Sequence, residues 1–378
     1  MITKNETKMT IPLLDLKAQY RAMKDEINGT IQGILDRQSF ILGPEVGELE
    51  SKIAAYCGTK FAVGCASGTD ALFLALKALG VGAGDEVVTT AFTFIATGEA
   101  IYNVGAKPVF ADINPGTFNI DAASVRAKLA KKTKAIMPVH LYGLMADMDA
   151  INAVAKERGL KVVEDNAQAI GAKYKGKVAG SLGDAGGISF FPGKNLGAYG
   201  DAGAVVTSDA KLAETMKRLR VHGSKSKYVH DLIGVNSRLD NLQAAILIIK
   251  LKYLDGWTQK RQANAAYYNS RLKGLPLTTP YVPEGQTHVY HQYTLRVPRH
   301  RDELMTFLNE NGIEARIYYP IPLHLQECFM FLGCKKGELP ETEKAMDEAV
   351  SIPVYSELSL EQKEYVVWKI KELFSKKA

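Results

Sequence analysis

Cysteine, tryptophan, charge blocks and long apolar runs are all scarce in this chain. Only four cysteines and two tryptophans occur among 378 residues. Cys57, Cys65, Cys328 and Cys334 fall in two distant pairs without a CxxC, so neither a disulfide scaffold nor a structural zinc motif is expected. They read as reduced packing residues of a cytoplasmic protein. The strongest apolar stretch, near 244–249, is interrupted by Lys250 and is too short to span a bilayer. The opening MITKNETKMT lacks the apolar core of a secretory signal. Charge is nearly balanced, with 47 basic against 41 acidic residues and a net charge of +6. The basic residues are scattered, the small cluster at Lys128, Lys131, Lys132 and Lys134 reads as a solvated helix end, and no nucleic-acid partner is expected. No repeat of fixed period occurs, and no GxGxxG, which counts against a nicotinamide Rossmann enzyme.

What is present is an ordinary globular composition, 46% hydrophobic and 23% charged. After a polar lead-in with one amphipathic helix at about 17–35, short β-branched runs alternate with helical patterns. The runs are FAVGCA (61–66), EVVTT (86–90), PVFADI (108–113), AIMPVH (135–140), VVEDN (162–166), GISFF (187–191) and AVVTS (204–208). Helical periodicity at 69–79, 93–105 and 148–159 lies between them. This alternation predicts an α/β fold with a mostly parallel sheet sandwiched by helices. From Ser237 one long helical stretch runs to about 272, with Gly256 as a possible kink. A smaller C-terminal α+β unit follows, with strand-like YHQYTLRV (290–297) and ARIYYP (315–320) and helices near 302–311, 340–350 and 360–376. The expected division is 1–250 for the large domain and 251–378 for the small one.

In open α/β sheets ligands bind at the carboxyl ends of the strands, so chemistry is sought there. SGTDAL (67–72) follows the first strand and opens a helix, whose free N–H groups suit an anion; by itself it is also an ordinary N-cap. VVEDNAQAIGA (162–172) puts Asp165 at a strand end among small residues, where a carboxylate needs a cation or strong donors. A helix N-cap is an equal reading. In FFPGKNLGAYGDAG (190–203), Lys194 sits among glycines and aromatics, and the only other charge is Asp201. Desolvation would lower its pKa and make it a nucleophile; a surface turn is the plain alternative. An anion cradle, a carboxylate for a ring nitrogen and a Schiff-base lysine are together what pyridoxal phosphate requires.

The chain closely resembles the fold-type I, pyridoxal-phosphate-dependent DegT/StrS family of nucleotide-sugar aminotransferases. The likeness runs through FILGPEVGELE (40–50), CASGTDAL (65–72), GDEVVTTAFTFIAT (84–97), PVHLYG (138–143), VVEDNAQAIGA, SFFPGKNLGAYGDAGAVVT (189–207), GVNSRLDNLQAAIL (234–247) and YYPIPLH (318–324). The resemblance implies that Lys194 carries the cofactor, Asp165 pairs its pyridinium nitrogen and Gln168 contacts its ring oxygen. Gly68, Thr69 and Ser189 would hold its phosphate, and Phe94 would stack on the ring. It also implies a homodimer with shared active sites, in which Asn236 reaches the partner subunit's phosphate. Arg238 and His324 become substrate contacts. Tyr318 stands where relatives often carry histidine, which leaves the groups recognised at C5 and C6 of the sugar open. The expected reaction moves an amino group from L-glutamate to a keto-sugar of a nucleoside diphosphate, with a 3-keto acceptor favoured and a 4-keto one as the alternative. The end use is expected in surface polysaccharide or lipopolysaccharide precursors.

Three other motifs compete. GAKYKGKV (171–178) matches a P-loop, except that Val178 replaces the Ser/Thr that would hold Mg²⁺. Asp147 and Asp149 form the DxD of a metal-dependent glycosyltransferase, or else a helix N-cap and first-turn acid. His140 ends a strand and reads as a satisfied structural histidine. Trp257, Tyr267 and Tyr268 read as packing residues of the long helix. A non-catalytic sensor of pyridoxal phosphate or nucleotide sugar is the remaining alternative.

Overall fold

The computed structural model describes residues 8–376. Its centre is a seven-stranded sheet built from β1 (Phe61–Cys65), β2 (Glu86–Thr90), β3 (Lys107–Ala111), β4 (Thr133–Met137), β5 (Lys161–Asp165), β6 (Ala185–Ser189) and β7 (Gly203–Thr207). Across the sheet the order is β1-β7-β6-β5-β4-β2-β3. Strand β7 runs antiparallel to both β1 and β6, and every other neighbouring pair is parallel. The strands are buried along nearly their whole length, which is why they read as continuous apolar runs rather than as alternating ones. Helices Gly68–Ala78, Ile95–Asn103 and Met148–Arg158 cross between parallel strands as the spacing predicts. This is the α/β arrangement expected from the alternation, and the fold-type I arrangement that the family resemblance implies.

The single antiparallel strand has a consequence for chemistry. Parallel strands need a crossover helix, whereas antiparallel ones can be joined by a local turn. Residues 190–202 therefore stay beside the carboxyl end of β6. The carboxyl ends of β1, β2, β5 and β6 all point to the same edge of the sheet.

Several elements differ from the sequence reading. The lead-in holds two helices, Leu16–Arg21 and Lys24–Arg37, rather than one. Helix Pro44–Cys57 follows them, with Pro44 in its first turn and Gly58 closing it in the left-handed region. The expected long helix is two, Asn241–Leu251 and Leu254–Arg271. The break falls at Lys252 and Tyr253, and Gly256 lies inside the second helix, so tertiary packing rather than glycine sets the bend. ARIYYP forms no strand; Arg316 makes a single bridge to Ser351.

Beyond residue 251, strands β8 (Tyr293–Arg296) and β9 (Ala349–Ile352) pair antiparallel and are covered by helices Arg301–Glu310 and Leu360–Ser375. Tyr268, Tyr293, Leu304, Val350 and Ile370 make a separate core there, and Ile11 belongs to it. Ile11 bridges Ile313, and the Leu13 N–H donates to Glu314 Oε2 at 2.9 Å. The polar lead-in is thus pinned across the whole sequence. Among the described residues no helix is long and apolar enough to cross a membrane.

Candidate active site

A cavity of about 720 Å³ opens at the carboxyl edge of the sheet. Its walls include Gly68, Thr69, Phe94, Asp165, Gln168, Ser189, Lys194 and Tyr318, eight of the eleven residues singled out from the sequence. Each reaches it by a local rule. Ser67 caps helix Gly68–Ala78, its Oγ accepting from the Asp70 N–H at 3.1 Å. The N–H groups of Gly68 and Thr69 precede the first intrahelical bonds and have no partner among the described residues, so they are free for an anion. Glycine is required at 68 because a Cβ there would lie 2.5 Å from Ser189 Cβ. That closeness brings the Ser189 hydroxyl to the same cradle.

Asp165 ends β5 and is 4% exposed. Its Oδ2 accepts from Thr97 Oγ1 at 2.7 Å and its Oδ1 from the Ala167 N–H at 3.1 Å. Burial pushes the carboxyl above its usual range, against the pull of these donors and of Lys194 and His140. A carboxylate so placed is short of a cation. A pyridinium nitrogen supplies one, and the residues present fit pyridoxal phosphate: an anion cradle, an acid and an amine share one cavity wall.

Lys194 sits in the β6–β7 connection, its N–H donating to the Phe191 carbonyl at 2.8 Å. Burial lowers its amine to about 8, with Asp165 opposing the shift. A neutral fraction of roughly a tenth therefore exists at pH 7, far more than an ordinary lysine offers, as a nucleophile and proton acceptor requires. Gln168 Oε1 accepts from the Tyr142 N–H at 2.7 Å, which orients its Nε2 toward the cavity, where it donates to the Tyr319 hydroxyl at 2.9 Å. Phe94 is 55% exposed at the mouth of helix Ile95–Asn103, with its ring centroid 6.2 Å from that of Tyr319. A large exposed aromatic at a cavity wall is free to stack on a planar ligand.

Asn236, Arg238 and His324 do not reach the cavity. Asn236 is exposed and pairs through its backbone with Val221. Arg238 is partly exposed and has no ion pair among the described residues. His324 is 1% exposed, its Nε2 3.1 Å from Glu343 Oε1 and its Nδ1 without a partner among the described residues. Its short helix, Leu323–Leu325, packs through Leu323 against Ala91, Phe110 and Phe329 instead of lining the cavity.

Among the wall residues not singled out from sequence, four bear on the chemistry. Thr97, in the quoted TFIAT, orients Asp165 through its hydroxyl. Tyr319 follows Tyr318 in the quoted YYPIPLH and receives the Gln168 bond. His291 lines the cavity with its Nδ1 3.3 Å from Asn195 Oδ1, and burial and Lys194 hold it well below the usual imidazole range. Leu14 comes from the lead-in. His291 and Leu14 carry no sequence signal, because only the packing of distant segments brings them here.

The competing motifs are absorbed structurally. His140 is fully buried, accepts from the Ala146 N–H at Nδ1 and donates from Nε2 to Glu164 Oε2 at 2.8 Å. Glu164 is further satisfied by the N–H groups of Gly180, Leu182 and Gly183. Asp147 caps helix Met148–Arg158 and accepts from the Tyr174 hydroxyl at 2.8 Å, while Asp149 pairs with Lys175 at 2.5 Å. Among the described residues no cluster of three metal-ligating side chains occurs. The P-loop-like segment is a hairpin of two-residue strands, Lys173–Tyr174 and Lys177–Val178.

Comparison with known proteins points the same way. The model of the DegT/DnrJ/EryC1/StrS aminotransferase family matches residues 21–371. A pleiotropic regulatory protein of Geobacillus stearothermophilus is 55% identical over 97% of this chain and 99% of its own. A UDP-N-acetyl-3-dehydro-alpha-D-glucosamine 3-aminotransferase of Acidithiobacillus ferrooxidans is 48% identical over 93% of this chain and 95% of its own. Among solved structures, S. venezuelae DesV in complex with a ketimine intermediate superposes with a TM-score of 0.94 at 43% identity, covering 96% of this chain and 98% of that one.

Proposed function

The chain belongs to the DegT/DnrJ/EryC1/StrS aminotransferase family, and on that premise we propose that it transfers an amino group from L-glutamate to the 3-keto group of a nucleoside-diphosphate sugar, with pyridoxal phosphate as cofactor. The observation that carries this reading is the shared wall: the Lys194 amine, lowered to about 8, and the buried carboxyl of Asp165 face one cavity. The 3-keto preference rests on relatives described as 3-aminotransferases or 3-amino-sugar transaminases.

Bound pyridoxal phosphate supplies an electron sink for a carbanion at the amino acid's α-carbon. Asp165 holds the ring nitrogen protonated, with Thr97 keeping the carboxylate in register. The N–H groups of Gly68 and Thr69 and the Ser189 hydroxyl bind the phosphate. Lys194 Nζ takes the proton from the donor's α-carbon, and in the second half-reaction it delivers a proton to the former keto carbon. Tyr318 lines the acceptor end of the cavity and bears on sugar recognition.

The chain divides near residue 250 into a large unit and a smaller one, a reading supported by the separate core beyond that point. A homodimer is proposed as the working form. Among the described residues the cavity wall offers Lys194 as its only lysine or arginine, whereas a nucleoside diphosphate and a dicarboxylic donor bring several negative charges. Asn236 and Arg238, placed away from this cavity, are then available to a second copy.

The test is direct. Purified protein with pyridoxal phosphate should show the absorbance of a lysine-bound cofactor, and L-glutamate should bleach it in a single turnover. Lys194→Ala should lose the borohydride-trappable adduct; a full-strength adduct in that variant refutes the assignment. Cofactor binding without bleaching would favour a sensor, a role in keeping with the relative described as a regulatory protein. A panel of 3-keto and 4-keto nucleotide sugars then resolves the acceptor.

A further inference from the structure

Lys250 is almost completely buried, and nothing in the proposed chemistry uses it. It is 1% exposed on helix Asn241–Leu251, inside a cluster that includes Phe190, Leu196, Ala198, Leu247 and Leu254. An apolar side chain of that length would suit those neighbours better, since a buried ammonium carries a desolvation cost. The charge must therefore serve some purpose other than core stability.

Its partners indicate which. Lys250 Nζ donates to the Gly197 carbonyl and lies 5.2 Å from the centroid of the Tyr199 ring. Two turns earlier on the same helix, Gln243 Oε1 accepts from the Tyr199 N–H at 2.8 Å. Both anchors grip the β6–β7 connection that presents Lys194. The connection is also closed from within. The Ala198 N–H donates to the Phe190 carbonyl at 2.7 Å and the Lys194 N–H to the Phe191 carbonyl at 2.8 Å. A Cβ on Gly197 would overlap the Pro192 carbonyl. A turn packed this tightly cannot move Gly197 without moving Lys194.

We propose that Lys250 is a positioning residue for Lys194, holding the reactive turn in place through the Gly197 carbonyl. The inference rests on the reading of Lys194 as the cofactor-bearing lysine. The other charged groups that bear on Lys250 are few. Glu357 favours its ammonium, burial opposes it and brings it to about 8, and Glu357 also acts on Arg261.

The experiment compares the holoenzyme with Lys250→Met and Lys250→Gln, following thermal unfolding, the single-turnover rate with L-glutamate and the pH midpoint of the bound-cofactor absorbance band. A misplaced reactive group is expected to slow the Lys250→Met half-reaction by about 10- to 100-fold. Its pH midpoint should shift, because Lys194 moves relative to Asp165, the charged group that acts on it. Its melting temperature should be unchanged or higher. Lys250→Gln, which keeps an N–H donor, should recover part of the rate. Parental rate and parental pH midpoint in Lys250→Met overturn the proposal. If that variant does not fold, the same result in Lys250→Gln overturns it. A purely structural lysine would lower the melting temperature and leave the pH midpoint in place. Absence of a lysine-bound cofactor in the parent chain would instead remove the functional reading, and this inference with it.

Discussion

Replacing Asp165 with Asn tests the centre of the site with the least disturbance to its shape. The side chains are isosteric. Asn Oδ1 can keep the Ala167 N–H bond, and its Nδ2 can donate to Thr97 once that hydroxyl turns to accept. Without cofactor, the change removes a 4% exposed carboxyl that burial already pushes up. The apo protein should therefore melt at the same temperature or higher, because burial outweighs the donors and cations that act on this carboxyl. With cofactor, the ring nitrogen loses its anionic partner. Removing one member of a buried charge pair costs about 3–5 kcal/mol. Expressed in the barrier, that is roughly 10²- to 10⁴-fold in rate. The assay is the single-turnover L-glutamate half-reaction followed by absorbance, beside thermal unfolding with and without pyridoxal phosphate. A half-reaction within tenfold of the parent, in a variant that folds and binds cofactor, would refute the role given to Asp165.

Two further perturbations probe other parts of the molecule. Gly68→Ala forces a methyl group to 2.5 Å from Ser189 Cβ, so it should weaken pyridoxal-phosphate binding and destabilise the fold by about 1–3 kcal/mol; equilibrium dialysis showing parental affinity would count against the phosphate cradle. His288 stacks on Tyr290 at 4.0 Å and accepts from the Tyr290 N–H, and burial lowers its imidazole to about 3 from an ordinary 6.5. A group depressed in the folded state binds protons mainly when unfolded between those values. Stability is therefore whole above pH 6.5 and falls toward pH 3, by up to about 5 kcal/mol from this residue. His288→Phe should lose about 1 kcal/mol at pH 7 for the missing bond yet lose less on acidification, so that denaturant midpoints of parent and variant cross; parallel pH profiles would contradict the placement.

Much was legible in the sequence because it depends on local pattern. Buried parallel strands announce themselves as β-branched runs, and their carboxyl ends can be located before any fold is known. Ser67–Gly68–Thr69, Asp165, Ser189 and Lys194 stand within a residue or a few of such ends, so one chain-order reading gathered most of the cavity wall. Helix boundaries set by packing were less legible. The break between Asn241–Leu251 and Leu254–Arg271 falls at Lys252 and Tyr253, where no glycine or proline marks it.

By itself the sequence determined the α/β alternation, the three chemical groups that pyridoxal phosphate requires and their order along the chain. Only the tertiary structure decided that β7 runs antiparallel, which keeps the Lys194 turn beside Asp165, and that Leu14, His291 and Tyr319 complete the wall. It also decided that His324 is buried away from the cavity and that Lys250 reaches under the reactive turn. The physical reason is the range of the interactions. Strand and cap preferences act over a few residues, whereas the Lys250 contact with Gly197 and the Ile11 contact with Ile313 exist only once the whole core has packed.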